Sequence, residues 1–122
     1  MNDNKIDKID FDGFKGLNKL KMLFLAKNQL KHIDLQILID LTELTDLYIE
    51  ENRITNIMGL KFPLNLKILN LSNNKLKTLD HSMLNDLDRF EILFLNDNRF
   101  NKETETRLKN QLKNIKKIIF YS

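Results

Sequence analysis

Apolar residues recur along the chain in a fixed arrangement that appears four times. The stretch at 66–76, LKILNLSNNKL, reads Leu-x-x-Leu-x-Leu-x-x-Asn-x-Leu. The same arrangement returns as LKMLFLAKNQL at 20–30, LTDLYIEENRI at 44–54 and FEILFLNDNRF at 90–100. Its asparagine falls at positions 28, 52, 74 and 98, which are 24, 22 and 24 residues apart. This period predicts a stack of similar units that share one core.

Each unit divides into a strand and a returning segment. The last leucines of the pattern, such as Leu69 and Leu71, alternate with outward positions, which predicts a short strand. Stacked units would pair these strands into a parallel sheet. The asparagine then turns the chain out of the strand, and its amide can satisfy backbone groups of the loop. We therefore interpret the four pattern asparagines as structural: Asn28, Asn52, Asn74 and Asn98.

The returning segments are not all alike. After Asn28 and Asn74, leucines spaced at three predict a helical turn or two on the outer side. The unit after Asn52 is two residues shorter and carries Gly59 and Pro63. That composition favours an extended or 3₁₀ connection.

The whole chain, 1–122, is predicted to be one domain. Residues 1–19 are spaced like the second half of a unit, and repeats follow at 20–43, 44–65, 66–89 and 90–114. A helix over about 102–113, capped by Asn101, would cover the last repeat, and 115–121 would add a terminal strand. Two interpretations of the first half-repeat stay open. It serves as a modest cap, or it belongs to a longer array.

The repeated pattern of leucines and asparagine resembles that of leucine-rich-repeat proteins over nearly the whole chain. The resemblance implies an α/β fold: a curved right-handed solenoid with a parallel sheet on its concave face and short helical or extended segments on its convex face. It also implies a scaffold for protein recognition, with the contacts on the concave face. The cysteine-rich caps typical of extracellular members are absent from the sequence.

The open face of the predicted sheet carries two columns of side chains. One column holds Phe24, Tyr48, Asn70, Phe94 and Ile119, and the other holds Met22, Asp46, Ile68, Ile92 and Lys117. Exposed apolar and aromatic clusters of this size are typical of interfaces. We expect a protein partner to contact Met22, Phe24, Tyr48, Ile68, Asn70, Ile92, Phe94 and Ile119. The surrounding polar positions are net acidic, so this rim could select a partner with a basic flank.

A structural interpretation of the same columns remains open. Concave curvature would let the side chains cover one another, and strands favour aromatic and β-branched residues in any case.

The net charge of +3 is concentrated at the carboxyl end. Residues 100–122 contain six basic and two acidic side chains, and the earlier part of the chain is close to neutral. This leaves a second hypothesis, a nucleic-acid accessory protein that acts through Lys109, Lys113, Lys116 and Lys117. The 16 Lys and 16 Asn are also what an A/T-rich genome would encode, so nucleic acid is the less favoured partner.

Composition also bears on the setting of the protein. Cysteine is absent, and neither the first residues nor any later run has the length and apolarity of a signal or membrane segment. We expect a cytoplasmic, intracellular protein that is a monomer or associates weakly with itself. A host-directed bacterial effector or adhesin is a variant of the protein-binding hypothesis.

Candidate chemistry is sparse. His32 and His81 fall in corresponding loops two repeats apart, and the run DFDG at 10–13 has lysine at both terminal ligand positions of a calcium loop. The three glycines form no phosphate-binding loop. We predict no enzyme activity, no metal site, no cofactor and no small-molecule substrate.

Overall fold

The described part of the chain contains seven short strands, two 3₁₀ helices and one α-helix. The structure is a computed structural model that describes residues 4–10 and 12–121. The strands are β1 Met22–Phe24, β2 His32–Asp34, β3 Asp46–Tyr48, β4 Asn56–Met58, β5 Ile68–Asn70, β6 Ile92–Phe94 and β7 Lys117–Ile119. The 3₁₀ helices are Leu35–Leu38 and His81–Leu84, and the α-helix α1 is Lys102–Gln111.

The main sheet is parallel and has the order β1-β3-β5-β6-β7. Its strands place the alternating leucines of the repeated pattern in the interior, where Leu47, Leu69 and Leu93 are fully buried. One core cluster joins the leucines of all the repeats. This arrangement confirms the predicted leucine-rich-repeat solenoid with its parallel sheet on the concave face.

The pattern asparagines join each repeat to the one before it. Asn52 Oδ1 accepts a hydrogen bond from the Leu30 N–H at 3.0 Å, and Asn74 Oδ1 accepts from the Ile54 N–H at 2.9 Å. The amide nitrogen of Asn74 donates to the carbonyls of Ile49 and Leu71 at 3.1 and 3.2 Å. The asparagines thus satisfy backbone groups that the solenoid buries away from water.

The residue before each pattern asparagine has a left-handed backbone. Lys27, Glu51, Asn73 and Asp97 have φ values of 57°, 56°, 54° and 59°. This conformation is uncommon for residues other than glycine, and its return at one position of each repeat shows that the turn out of the strand is the same each time.

Aspartate caps explain where the convex 3₁₀ helices form. Asp34 and Asp80 each lie six residues after a pattern asparagine, and their carboxylates accept from the N–H groups of Gln36 and Ser82 at 3.0 Å. In the short repeat the corresponding residue is Met58, whose side chain has no oxygen to accept a hydrogen bond from the first N–H groups of a helix. That repeat continues as strand β4 followed by an irregular segment.

A second, two-stranded parallel sheet was not predicted. It pairs β2 with β4, and Ile33 at its centre lies opposite Ile57. Each strand begins two residues after the end of a repeated pattern, at 20–30 or 44–54, and is only three residues long, which is too short to show a period in the sequence.

Helix α1 covers the last full repeat. Asn101 caps it by accepting from the Thr104 N–H at 2.8 Å, and Leu108 and Leu112 are buried against the core. The helix ends at Gln111, two residues before the expected boundary, and the terminal strand is limited to Lys117–Ile119.

Candidate interaction surface

Strand pairing brings the two predicted columns of side chains together on the concave face. Across the sheet, Phe24 lies opposite Tyr48, Tyr48 opposite Asn70, Asn70 opposite Phe94, and Phe94 opposite Ile119. The second column runs through Met22, Asp46, Ile68, Ile92 and Lys117 in the same register. We call these two columns the concave surface.

The apolar side chains of the concave surface are exposed to different degrees. Met22 and Phe24 on β1 are 48% and 41% exposed. Tyr48, Ile68, Ile92, Phe94 and Ile119 are half-buried. The rings of Phe24 and Tyr48 stack at a centroid separation of 5.0 Å and an angle of 4°. The side chains therefore cover one another in part, and the most open apolar area lies at β1.

Asn70 interrupts the aromatic column. Its Oδ1 accepts from both the N–H and the hydroxyl of Ser72, at 3.0 and 2.7 Å. The sequence assigns Asn70 to partner contact, and the structure adds that its oxygen is already engaged at the end of its own strand.

Strand β3 brings negative charge into the concave surface. The Tyr48 hydroxyl donates to Asp46 Oδ2 at 3.3 Å. Burial, and then the charge of Asp46, raise the pKa of Tyr48. Two residues further on, burial raises the pKa of the Glu50 carboxyl, with a partly opposing contribution from its own backbone N–H. Glu50 Oε1 is enclosed and has no hydrogen-bond donor among the described residues.

The basic carboxyl end is partly engaged within the protein. The Lys109 ammonium lies 5.4 Å from the ring centre of Phe120 and 5.9 Å from that of Tyr121. Lys116 pairs with Glu91 at 3.7 Å. Glu91 thus offsets part of the charge of Lys116, whereas Lys109 packs near two rings and keeps its positive charge.

The convex side has an apolar groove that the sequence analysis missed. Its volume is about 820 Å³, and Ile39, Leu60 and Leu64 at its rim are 67%, 84% and 64% exposed. It lies where the short repeat has no 3₁₀ helix beside Leu35–Leu38. The missing aspartate cap and the two-residue shortening are the only signals in the sequence that could have indicated it.

No cluster of three or more metal-ligating side chains occurs among residues 4–10 and 12–121. His32 starts β2, and His81 starts the second 3₁₀ helix, so the two histidines lie in separate repeats. No helix in the described part of the chain has the length and apolarity to cross a membrane.

Comparison with known proteins agrees with this architecture. The family model for the leucine-rich repeat matches residues 1–54 and again 42–100. The chain therefore belongs to the leucine-rich-repeat family, whose repeats are generally protein-interaction modules and whose fold is typically not enzymatic. Among curated proteins, none matches the chain.

Two solved structures show the same fold. A leucine-rich-repeat protein of Leptospira interrogans superposes with a TM-score of 0.77 at 23% identity, and the match covers 93% of this chain and 29% of that one. An internalin of Listeria monocytogenes superposes with a TM-score of 0.72 at 28% identity, and the match covers 95% of this chain and 33% of that one. The chain thus spans about a third of the length of each of these proteins.

Proposed function

We propose that the protein is a binding module that holds a protein partner on its concave surface in a regulatory or scaffolding role. The observation that carries this proposal is the in-register pair of columns, which keeps large apolar side chains partly open to solvent on a regular sheet. Soluble proteins seldom leave such areas uncovered unless a partner meets them. Aromatic and methionine side chains, such as Phe24 and Met22, are also those that interface cores favour.

The fixed shape of the sheet supports the same proposal. Its strands are anchored by the buried leucines and by the asparagine hydrogen bonds, so the concave side chains project from a scaffold that needs little ordering on binding. A pre-organised surface loses less conformational entropy when it associates. We expect most of the binding energy to come from the aromatic residues near the centre of the contact.

The test is affinity capture from a lysate of the source organism. The double variant Tyr48→Asp/Phe94→Asp should lose the captured protein, because it places two charges where apolar contacts are needed. Leu60→Asp/Leu64→Asp is the matched control, since it puts the same two charges on exposed apolar residues of the convex side. Retention of the same protein by wild type and by Tyr48→Asp/Phe94→Asp, at equal thermal stability, would refute the proposal.

A further inference from the structure

Strand β3 differs from its neighbours in charge. In the column that contains Asp46, the adjacent strands carry Met22 and Ile68. Two positions beyond Tyr48, Glu50 follows the strand where the neighbouring repeats have Ala26 and Ser72. Negative charge thus enters the concave surface at one strand, with apolar or neutral side chains on both sides of it.

Neither carboxylate forms a close ion pair within the described residues, and Lys27 acts on Glu50 only from a longer distance. The ion pairs there are Lys61 with Asp86 and Lys116 with Glu91, and neither involves β3. One oxygen of Asp46 accepts a hydrogen bond from the Tyr48 hydroxyl, and Glu50 Oε1 accepts none from the described residues. A carboxylate that is partly taken from water without full compensation is unfavourable. The enclosed Oε1 itself cannot be reached from outside, but positive charge placed near the carboxylate would be favoured.

The aromatic stack lies beside this charge. Phe24 and Tyr48 stack with one ring face against the other, so each ring keeps one outer face, and Tyr48 is hydrogen bonded to Asp46. A guanidinium or ammonium group is attracted both to aromatic faces and to carboxylates, and its aliphatic stem packs on apolar surface. The combination of ring face and adjacent carboxylate matches the side chain of arginine, and next that of lysine.

We infer that the concave surface recognises a protein segment in which an arginine or lysine is flanked by apolar side chains. The basic side chain packs on an outer face of the Phe24–Tyr48 stack and pairs with Asp46 or Glu50. The flanking apolar residues contact Met22 on one side and Ile68, Ile92 and Phe94 on the other. Four adjacent strands spread these contacts over about 14 Å, a distance that a short segment can span. This inference rests on the proposed function and specifies its partner.

The same charges oppose other occupants. An acidic segment or a phosphate backbone would bring like charge to Asp46, Glu50 and the exposed Glu51. Lys27, in the turn after β1, is the cation that acts on Glu50, and it lowers the pKa of that carboxyl less than burial raises it. The region around β3 therefore stays favourable to positive charge.

The inference can be tested by selecting peptides on the full chain. A library of random peptides displayed on phage would be selected on wild type, on Asp46→Asn/Glu50→Gln and on Tyr48→Asp/Phe94→Asp. Wild type should enrich peptides with arginine or lysine between apolar residues. Asp46→Asn/Glu50→Gln should keep the apolar enrichment and lose the basic one, because the substitutions preserve side-chain shape and remove charge.

A synthetic copy of an enriched peptide gives the quantitative test. Replacing its arginine with citrulline, which keeps the shape and removes the charge, should weaken binding to wild type by about tenfold, as expected for one charge-assisted contact. The same replacement should have little effect on binding to Asp46→Asn/Glu50→Gln. High salt should reduce the difference between the two peptides.

The outcomes separate this inference from the proposed function. Enriched peptides without basic residues, or the same basic enrichment on Asp46→Asn/Glu50→Gln, would overturn the inference alone, provided that Tyr48→Asp/Phe94→Asp no longer selects them. Equal selection by Tyr48→Asp/Phe94→Asp, or no enrichment by wild type, would overturn both. Self-association in light scattering that Asp46→Asn/Glu50→Gln abolishes would identify a second copy of the chain as the occupant, and would also overturn the inference.

Discussion

Replacement of Asn74 by alanine tests whether the pattern asparagines hold the solenoid together. The Asn74 side chain is buried at the centre of the stack, and its Oδ1 accepts from the Ile54 N–H at 2.9 Å. Its amide also donates to carbonyls in its own repeat and in the preceding one. Alanine removes all of these hydrogen bonds and leaves a small void.

The expected magnitude follows from which groups lose their last partner. The carbonyl of Ile49 still accepts from the amide of Asn52, and that of Leu71 from the amide of Asn98. The Ile54 N–H, in a fully buried residue, loses its acceptor. One buried unsatisfied donor costs about 1–3 kcal/mol. Against a total of about 5–15 kcal/mol for a domain, this is a substantial fraction of the free energy of unfolding.

Urea denaturation followed by circular dichroism measures the effect. With a slope of about 1–3 kcal/mol per M, the midpoint of Asn74→Ala should fall by about 1 M while the slope stays the same. Asn85→Ala is the control, since Asn85 is exposed and should change the free energy of unfolding by less than about 0.5 kcal/mol. Equal midpoints for the two variants would show that the asparagine hydrogen bonds are not needed for stability.

Three further substitutions test local features. Glu50→Gln should raise stability at pH 7, because burial raises the pKa of this carboxyl and wild type loses stability as pH rises from 4.5 through that higher value. The gain should vanish at acidic pH. An equal gain for Glu51→Gln, at an exposed residue, would contradict the reasoning. Asp80→Ala should lower stability at pH 7. Because hydrogen bonds at the helix start lower the pKa of Asp80, this loss of stability should shrink as pH falls below 3.8. A loss that is the same at every pH would refute the role of Asp80 as a cap. Gly59→Ala should destabilise the protein by about 1–3 kcal/mol or more in urea denaturation, since φ is 109° and a Cβ would lie 2.9 Å from the Leu35 side chain. Gly16→Ala, at φ 81° with open space around it, should lower the free energy of unfolding by less. A larger loss for Gly16→Ala than for Gly59→Ala would contradict the packing.

The sequence predicted the sheet because its repeat has two strong signals. Leucine alternation identifies the strand, and the asparagine fixes its phase, so the partners of Tyr48 on both neighbouring strands could be read from the spacing alone. A one-residue shift of register would turn every leucine outward. That penalty is why the observed pairing follows the pattern.

Features that depend on packing could not be predicted in the same way. The stacking of Phe24 on Tyr48 and the enclosure of Glu50 Oε1 depend on side-chain conformations across neighbouring strands. The convex groove depends on an absence, since Met58 takes the place of a capping aspartate and the short repeat forms no 3₁₀ helix. The sequence contains both facts, but only the stacked repeats show that Leu60 and Leu64 remain uncovered.

Site-specific photo-crosslinking tests the central proposal most directly. A benzophenone amino acid would replace Phe94 on the concave surface or, in a separate variant, Leu60 on the convex side, followed by irradiation in a lysate of the source organism. We predict that position 94 forms a crosslink to a distinct protein and position 60 does not. A crosslink to the same protein from position 60 alone would contradict binding on the concave surface.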